Sequence, residues 1–298
     1  MRSRPGFQVY AWSVLVFILA VILWGAYVRA TGSGAGCGNH WPLCNGEMVP
    51  REATAATMIE YTHRATSGLA LLAIVGLVAW AWRAYQSGHP VRRWAAWSMA
   101  LIVVEALLGA GLVLLEHVAK NVSLARGWSM SLHLVNTLAL LAVLSLTAWW
   151  ARPAALAASR AVAGRAWIWA LALYGVIGVT GAIAALGDTL FPASSVTQAW
   201  QADFNSGSHL FVRLRWLHPL VGIAVSGGLL LLIWRKAPGR WAAVLTGLMF
   251  AQITLGAINV ILLAPVWLQL IHLLAGDALW IGMVLCVAAT ADRDARAA

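Results

Sequence analysis

The chain contains 298 residues, of which 61% are hydrophobic and only 10% are charged, and its formal net charge is +10. Soluble domains carry about a quarter charged residues, so this composition excludes an ordinary soluble protein. It predicts a protein whose surface is largely in contact with lipid.

Eight apolar runs follow one another along the chain, and each is long enough to cross a hydrocarbon core of about 30 Å. They comprise residues 9–30, 57–82, 94–116, 128–150, 165–187, 209–234, 241–263 and 267–290. Each is predicted to be a helix, because lipid offers no partner to backbone groups outside a helix or a closed barrel, and the alternation of barrel strands is absent. The first run is too long for the core of a signal peptide. The fold class is therefore all-α, a polytopic membrane protein with eight transmembrane helices.

Basic residues predict how these helices are oriented. With the N-terminus inside, the inner segments contain 13 of the 20 basic residues. The 13 are Arg2, Arg4, Arg83, Arg92, Arg93, Arg152, Arg160, Arg165, Arg235, Lys236, Arg240, Arg293 and Arg296. The positive-inside rule then places both termini in the cytoplasm, with the chain integral to the plasma (inner) membrane. This distribution accounts for the net charge without a nucleic-acid partner.

The two halves of the chain repeat each other. "LLGAGLV" at 107–113 matches "TLGAINV" at 254–260, and "WSMSLHLVNTLAL" at 128–140 matches "WLQLIHLLAGDAL" at 267–279. An even number of helices per unit preserves orientation, which predicts a parallel repeat. We therefore expect two pseudo-symmetric four-helix bundles, residues 1–155 and 160–298.

Four histidines lie inside predicted helices, two in each half: His63, His133, His218 and His272. All four are on even-numbered spans, five to nine residues past the outer start, so they share one depth. Zinc usually requires further nitrogen, sulfur or carboxylate ligands, whereas a haem leaves two axial positions for two imidazoles. The small residues near them leave room for a wide, flat ligand: Ser67, Gly68, Gly109, Ala110, Gly222, Gly256 and Ala257. The pattern predicts one haem site in each half.

The first half carries charges that the second half lacks. Glu60 lies three residues before His63, on the same helix face, and Arg64 follows. The second half has Arg215 and Pro219 at these positions. A carboxylate one turn from a haem ligand can transfer a proton or stabilise developing positive charge. The alternative is a salt bridge between the carboxylate and the arginine four residues later.

Two further carboxyl groups are placed within the predicted membrane. Glu105, which Gln252 replaces in the repeat, lies near mid-membrane, where a charge is costly. We expect it to be protonated or hydrogen-bonded to a partner such as Asn136. Asp277 lies five residues past His272, and its role is open.

The polar stretch "GSGAGCGNHWPLCNG" at 32–46 contains Cys37 and Cys44 and faces the outside in this topology. Metal binding would need more ligands than His40 adds, which leaves a structural clip or a redox-active pair that exchanges with an external thiol. We predict that the two cysteines are bonded to each other, because disulfides persist outside. The loop should fold over the first bundle as a lid and turn at its glycines: Gly32, Gly34, Gly36 and Gly38.

The run "TGSGAGCGNHWPLCNG", followed by "IEYTHRATSG" and by one histidine on each later even-numbered helix, resembles the haem A synthase family. The resemblance implies oxidation of a methyl group of haem O to the formyl group of haem A, for the assembly of terminal oxidases. It implies that His63, His133 and Arg64 bind the substrate haem and that Glu60 is essential to catalysis. It also implies that His218 and His272 are the axial ligands of the iron of a haem b that passes electrons.

The resemblance further implies contact with a haem O synthase, and an external thiol or electron donor. Many family members have a second cysteine pair in the outer loop of the second half, and residues 187–209 here contain none. The competing interpretations are a two-haem b-type electron carrier and a haem transporter, neither of which alters the porphyrin.

Overall fold

The computed structural model describes residues 5–51, 53–152 and 164–297, with side chains up to residue 293. These residues form ten helices and no named strand. The helices are α1 (Pro5–Ala30), α2 (Ala55–Ala84), α3 (Pro90–Leu114), α4 (Leu124–Trp150), α5 (Arg165–Leu190), α6 (Val196–Phe204), α7 (Leu210–Arg213), α8 (Leu217–Lys236), α9 (Trp241–Ile261) and α10 (Val266–Ala297).

The prediction of eight membrane spans in an all-α protein is confirmed. Eight helical segments within the described residues are long and apolar enough to cross a membrane, the sixth being Leu210–Lys236. The protein is therefore an integral, multi-pass membrane protein. The side chains of Arg2, Arg4, Arg160 and Arg296, and residues 153–163 between the halves, lie outside the described part. The division into two bundles, their pseudo-symmetry and the cytoplasmic position of the termini stay predictions.

The sixth span differs from the prediction because it is not one continuous helix. It is divided into α7 and α8 by residues 214–216, and backbone N–H groups there bond to carbonyls three residues earlier, as from His218 to Arg215 at 3.2 Å. Pro219 has no N–H to donate, and its ring clashes with the carbonyl four residues back, which is that of Arg215. His218 consequently lies in the first turn of α8.

Helix starts elsewhere follow ordinary capping chemistry. The hydroxyl of Thr54 accepts from the N–H of Thr57 at 3.2 Å and caps α2. The hydroxyl of Ser123 accepts from the N–H of Arg126 at 3.3 Å and caps α4. Such caps satisfy donors that a helix leaves unpaired at its N-terminus.

The two halves pack through α1 and α4 on one side and α5 and α10 on the other, while α2, α3, α8 and α9 flank this interface. The interface is apolar and buried, and the indole Nε1 of Trp280 crosses it to donate to the carbonyl oxygen of Leu138 at 2.7 Å. At one end of the molecule Arg152 pairs with Asp292 at 2.8 Å. Two of the histidine-bearing helices, α4 and α10, thus belong to a tightly joined centre, and the other two, α2 and α8, stand beside it.

The opposite end carries the α1–α2, α3–α4, α5–α8 and α9–α10 connections, and we call it the loop end. Here Arg29 of α1 reaches across the interface into the second half. Its Nη1 donates to the hydroxyl of Thr189 and its Nη2 to the Oε1 of Gln269, both at 2.8 Å. Polar contacts therefore join the halves at both ends.

Candidate functional site

Each of the four helical histidines packs against a glycine on the preceding span. A Cβ atom placed on Gly25 of α1 would lie 2.8 Å from the Cε1 of His63 on α2. A Cβ on Gly181 of α5 would lie 2.9 Å from the Cε1 of His218 on α8. Real side chains do not tolerate such distances, so these imidazoles occupy space that only glycine leaves open.

The other two histidines repeat this contact less closely. A Cβ on Gly256 of α9 would lie 3.1 Å from the Cε1 of His272, and one on Gly109 of α3 would lie 3.9 Å from the Cε1 of His133. The prediction that these two glycines lie near the histidines is confirmed. The same helix-to-helix contact therefore recurs four times.

Sequence reasoning missed Gly25 and Gly181 and assigned weight to two glycines that make no such contact. A Cβ on Gly68 or Gly222 would meet nothing within 4 Å. The signal that could have identified the correct positions is a Gly-Ala dipeptide within a predicted span, which occurs at 25–26, 109–110, 181–182 and 256–257.

In the second half the two imidazoles face each other. The ring centroids of His218 and His272 are 6.2 Å apart and their planes are inclined at 82°. The hydroxyl of Thr180 lies 3.3 Å from the Nδ1 of His218, and the amide nitrogen of Gln252 lies 3.3 Å from the Nε2 of His272. Within the described residues, the hydrogen-bond partners of these two rings are neutral.

In the first half a carboxylate occupies the position of that amide. The Oε1 of Glu105 lies 3.6 Å from the Nε2 of His133. Asn136 and Thr137 both donate hydrogen bonds to this carboxylate. The expected hydrogen bond from Asn136 is therefore confirmed, and the two sites differ in charge at one equivalent position.

Several polar atoms near the histidines have no partner. The Nδ1 atoms of His63, His133 and His272 are buried without a hydrogen bond, as is the Oδ2 of Asp277 on α10. A neutral imidazole nitrogen in this condition is available as a metal ligand. Across the described residues, no group of three or more histidine, cysteine or acidic side chains could hold a metal ion. The arrangement thus offers pairs of imidazoles, which suit a metal that brings its own equatorial ligands.

Glu60 anchors the cysteine loop above His63. Its side chain is buried, and its Oε2 accepts from the backbone N–H of Cys37 at 2.8 Å. Its Oε1 accepts from the Nε of Arg64 at 3.2 Å. The Nη1 of Arg64 donates in turn to the carbonyl oxygens of two loop residues, His40 and Leu43, each at 2.6 Å. The salt bridge that was the structural alternative is present and holds Oε1, while the N–H of Cys37 holds Oε2, so both oxygens of the carboxylate are fixed.

The loop itself is closed by the predicted disulfide between Cys37 and Cys44. Both cysteines are buried, at 0% and 1% exposure, so an external thiol has no direct access to the bond. A Cβ on Gly36 would lie 2.4 Å from the carbonyl carbon of Ala56, so the loop backbone lies directly against α2. This burial favours the structural clip over an exchanging pair, because exchange requires attack on an accessible sulfur.

The four loop glycines serve two different purposes. Gly32 and Gly38 have φ of +68° and +63°, and they make the turns that other residues rarely adopt. Gly34 and Gly36 instead permit close packing, the former against the side chain of Val118 in the α3–α4 connection. The prediction of turns is confirmed for the first pair.

The second half has an anchor of opposite charge at the equivalent position. Arg215 is buried, and its guanidinium pairs with Asp203 at 2.8 Å and with Asp188 at 3.2 Å. These contacts hold the α5–α8 connection, including α6, against the loop end. Sequence reasoning identified the arginine but neither of its carboxylate partners.

The chain is similar in sequence to several known proteins. The sequence pattern of the COX15-CtaA family, described as cytochrome oxidase assembly protein, matches residues 8–284. A Thermus thermophilus protein named protoheme IX farnesyltransferase is 46% identical over 297 residues, which cover 96% of this chain and 49% of that protein. A heme A synthase of Alkalihalophilus pseudofirmus is 39% identical over 136 residues, 45% of this chain and 46% of that protein. A heme A synthase of Bacillus mycoides is 44% identical over 96 residues, 32% of this chain and 31% of that protein. The chain spans about half the length of the Thermus relative.

The buried disulfide predicts a specific pattern of thiol labelling. Without reductant, Cys37 and Cys44 should resist a maleimide in membranes and after denaturation, and should react only once reduced. Cys286 is buried and unpaired, so it serves as an internal control that reacts on denaturation alone. Peptide mass analysis reads out each site. Ready modification of both loop cysteines in freshly isolated membranes would contradict a stable clip.

Proposed function

Because this chain belongs to the COX15-CtaA family of cytochrome oxidase assembly proteins, we propose that it takes part in haem A biosynthesis. The reaction is oxidation of a methyl group of haem O to the formyl group of haem A. Similarity to several proteins named heme A synthase supports this proposal. Those similarities each cover less than half of the chain, so the argument also depends on its own residues.

The observation that carries the proposal is the pair of imidazoles in each half. The centroid separation of 6.2 Å between His218 and His272 is compatible with a metal between them, because two metal–nitrogen bonds of about 2 Å put two imidazole centroids roughly 6 Å apart. Each imidazole ring packs against a glycine. In three of the four rings the Nδ1 atom has no hydrogen-bond partner. These features fit a haem better than a metal held by the protein alone.

The two halves take different roles in this proposal. His218 and His272 bind haem b, whose iron supplies one-electron redox chemistry when the group is bound. The hydrogen-bond partners of their rings in the described part of the chain are neutral, which suits a permanent cofactor. His63 and His133 bind the substrate haem, with Arg64 beside them. This half has carboxylates at the positions where the second half has Arg215 and Gln252, which supports placing the chemistry here.

Conversion of a methyl to a formyl group removes four electrons and introduces one oxygen atom. With dioxygen as the oxidant and two electrons and two protons from an external donor, each of two successive hydroxylations puts one oxygen atom on the methyl carbon and releases the other as water. The geminal diol that results loses one water molecule to form the aldehyde. Each hydroxylation requires that a proton leave the porphyrin edge or that positive charge develop there. A carboxylate close to that edge lowers the barrier in either case.

Glu60 is the residue that we assign to this step. It lies one turn from His63 toward the loop end, and its carboxylate is held by Arg64 and by the backbone N–H of Cys37. A group fixed by several hydrogen bonds needs little reorganisation when charge develops nearby. The disulfide loop thereby contributes to catalysis indirectly, by positioning the carboxylate and covering the site.

The proposed reaction also requires a supplier of its substrate. The longer Thermus relative is named for farnesyl transfer to protoheme IX, and this chain corresponds to about half of its length. We propose that the protein acts beside a farnesyltransferase that produces haem O, and that the two activities share one membrane assembly.

Replacing Gly181 with alanine should weaken binding of haem b. The added Cβ would meet the His218 ring at 2.9 Å, and the ring would have to move from its present position. Overpacking of this kind costs roughly 1–3 kcal/mol, so haem affinity should fall by about tenfold or more. Haem-to-protein ratio and b-type absorbance of the purified chain measure the effect.

Gly175 on the same helix provides the matched control. A Cβ there would meet nothing within 4 Å, so Gly175→Ala should keep full b-type absorbance. Equal absorbance in both variants would show that the glycine contact does not support a haem site.

Replacing Glu60 with glutamine should stop product formation while porphyrin binding persists. Glutamine still accepts a hydrogen bond from Cys37, which keeps the loop in place, but it cannot take a proton or stabilise positive charge as a carboxylate does. Loss of one general acid–base group typically lowers a rate by about 10²–10⁴-fold. Mass analysis of porphyrins from cells that supply haem O should show haem O or a hydroxylated form accumulating.

Glu47→Gln in the same loop is the control, because this glutamate is more exposed and pairs only with exposed Arg51. It should give normal haem A. A normal haem A yield in Glu60→Gln, accompanied only by lower thermal stability, would mean that the Arg64 pair is structural and the catalytic assignment wrong. Unmodified porphyrin from the wild-type chain would instead favour an electron carrier or a transporter.

A further inference from the structure

Arg126 is the most deeply buried arginine among the described residues that has no carboxylate partner. It lies in the first turn of α4 with 2% of its surface exposed. It precedes His133 by seven residues, so the two side chains share a helix face. The rise of 1.5 Å per residue places it about 10 Å from His133 toward the loop end.

The guanidinium of Arg126 is hydrogen-bonded through one nitrogen, and its Nε has no partner. Its Nη1 donates to the carbonyl oxygens of Ala119 and Asn121 at 2.6 and 2.8 Å, which uses both of its hydrogens. Its Nε is buried without a partner. Within the described part of the chain, both side-chain hydrogen bonds of Arg126 use Nη1, which leaves Nη2 without one. The Nε–Nη2 edge is the fork that binds a carboxylate through two parallel hydrogen bonds.

The surroundings add positive charge instead of neutralising it. Arg29 is close enough to Arg126 for the two guanidinium groups to repel each other, and its own hydrogen-bond acceptors are neutral. Asp188 attracts Arg29 but, like Asp203, is in direct contact with Arg215. Burial of an unpaired charge is costly, so this arrangement favours an anion that arrives with a ligand.

We propose that the Nε–Nη2 edge of Arg126 binds a propionate carboxylate of the porphyrin held between His63 and His133. This inference rests on the proposed function, because it takes that porphyrin as the ligand. Both propionates of a haem lie on one edge of the ring, and a ring beside His133 with this edge toward the loop end brings a propionate to Arg126. Arg29 strengthens the local positive potential.

The position of Arg126 favours a porphyrin carboxylate over the phosphate of a lipid headgroup. The next residue, Gly127, packs against Phe211 of the second half so closely that a Cβ would lie 2.9 Å from the ring. The guanidinium therefore lies beside the junction of the two halves, inside the protein, whereas lipid headgroups contact its outer surface.

The test compares haem with its propionate dimethyl ester, titrated spectroscopically into the purified full-length chain. Binding at the first-half site is identified as the step of the titration that His133→Ala abolishes. Arg126→Gln should weaken haem binding at this step by about tenfold to a hundredfold, the usual effect of losing a charge-assisted hydrogen bond. It should leave ester binding unchanged, because the ester brings no carboxylate. Arg213→Gln removes an exposed charge at the same end and should change neither affinity.

Other outcomes would overturn the proposal in distinguishable ways. Equal weakening of haem and ester by Arg126→Gln would show that the arginine only supports the fold. Unchanged binding of both, with loss of co-purified anionic phospholipid, would show that the site binds lipid phosphate. In either case the proposed function still stands, provided that the titration contains a haem-binding step that His133→Ala abolishes. Absence of any step that depends on His133 would overturn both proposals.

Discussion

The contact between each histidine and a glycine of the preceding span is the constraint on which the arrangement depends. The imidazoles of His63 and His218 occupy the space that a Cβ atom on Gly25 or Gly181 would need. Helix spacing and ring position are therefore set together. Because the contact occurs in all four hairpins, each half holds two rings against glycines. A protein interior is closely packed, and a ring held in this way has little freedom to move. This fixed pair is the observation that supports our proposal of a planar, iron-centred ligand.

Charge at the loop end distinguishes the halves. In the first half Glu60 and Arg64 attach the disulfide loop to α2, and in the second half Arg215 attaches the α5–α8 connection through two aspartates. Glu60 and Arg215 each precede the first histidine of their half by three residues, yet their charges are opposite. A carboxylate above one site and a guanidinium above the other give chemically different surroundings to otherwise similar histidine pairs. This asymmetry is the physical basis for assigning oxidation to one half and electron transfer to the other.

The sequence predicted those features that depend on local pattern. Eight apolar runs, the register of the histidines and the Asn136–Glu105 hydrogen bond follow from spacing and from the cost of polar groups in lipid. The break before α8 could have been predicted from Pro219, because proline removes a helical hydrogen bond. The short helix α6 is weakly apolar and follows no span-like pattern.

The remaining features depend on contacts between distant segments. Arg29 bonds to residues more than 150 positions away, and Arg126 is held through Nη1 by the α3–α4 connection, which folds back on it. No single stretch of sequence records such contacts. The burial of the disulfide likewise required the loop to lie against α2, which Gly36 permits by its close approach to Ala56. Cysteine spacing alone left the clip and the exchanging pair as alternatives.

The central claim is that each half holds its own porphyrin and that only one of the two is chemically altered. Porphyrin composition of the purified chain, expressed beside a source of haem O, tests it most directly in His133→Ala and in the His218→Ala, His272→Ala double variant. The account predicts that the first variant keeps haem b and loses the O- and A-type porphyrins, and that the double variant loses haem b while the chain still inserts. Undiminished b-type absorbance in the double variant, or loss of both pigments from each variant alike, would contradict it.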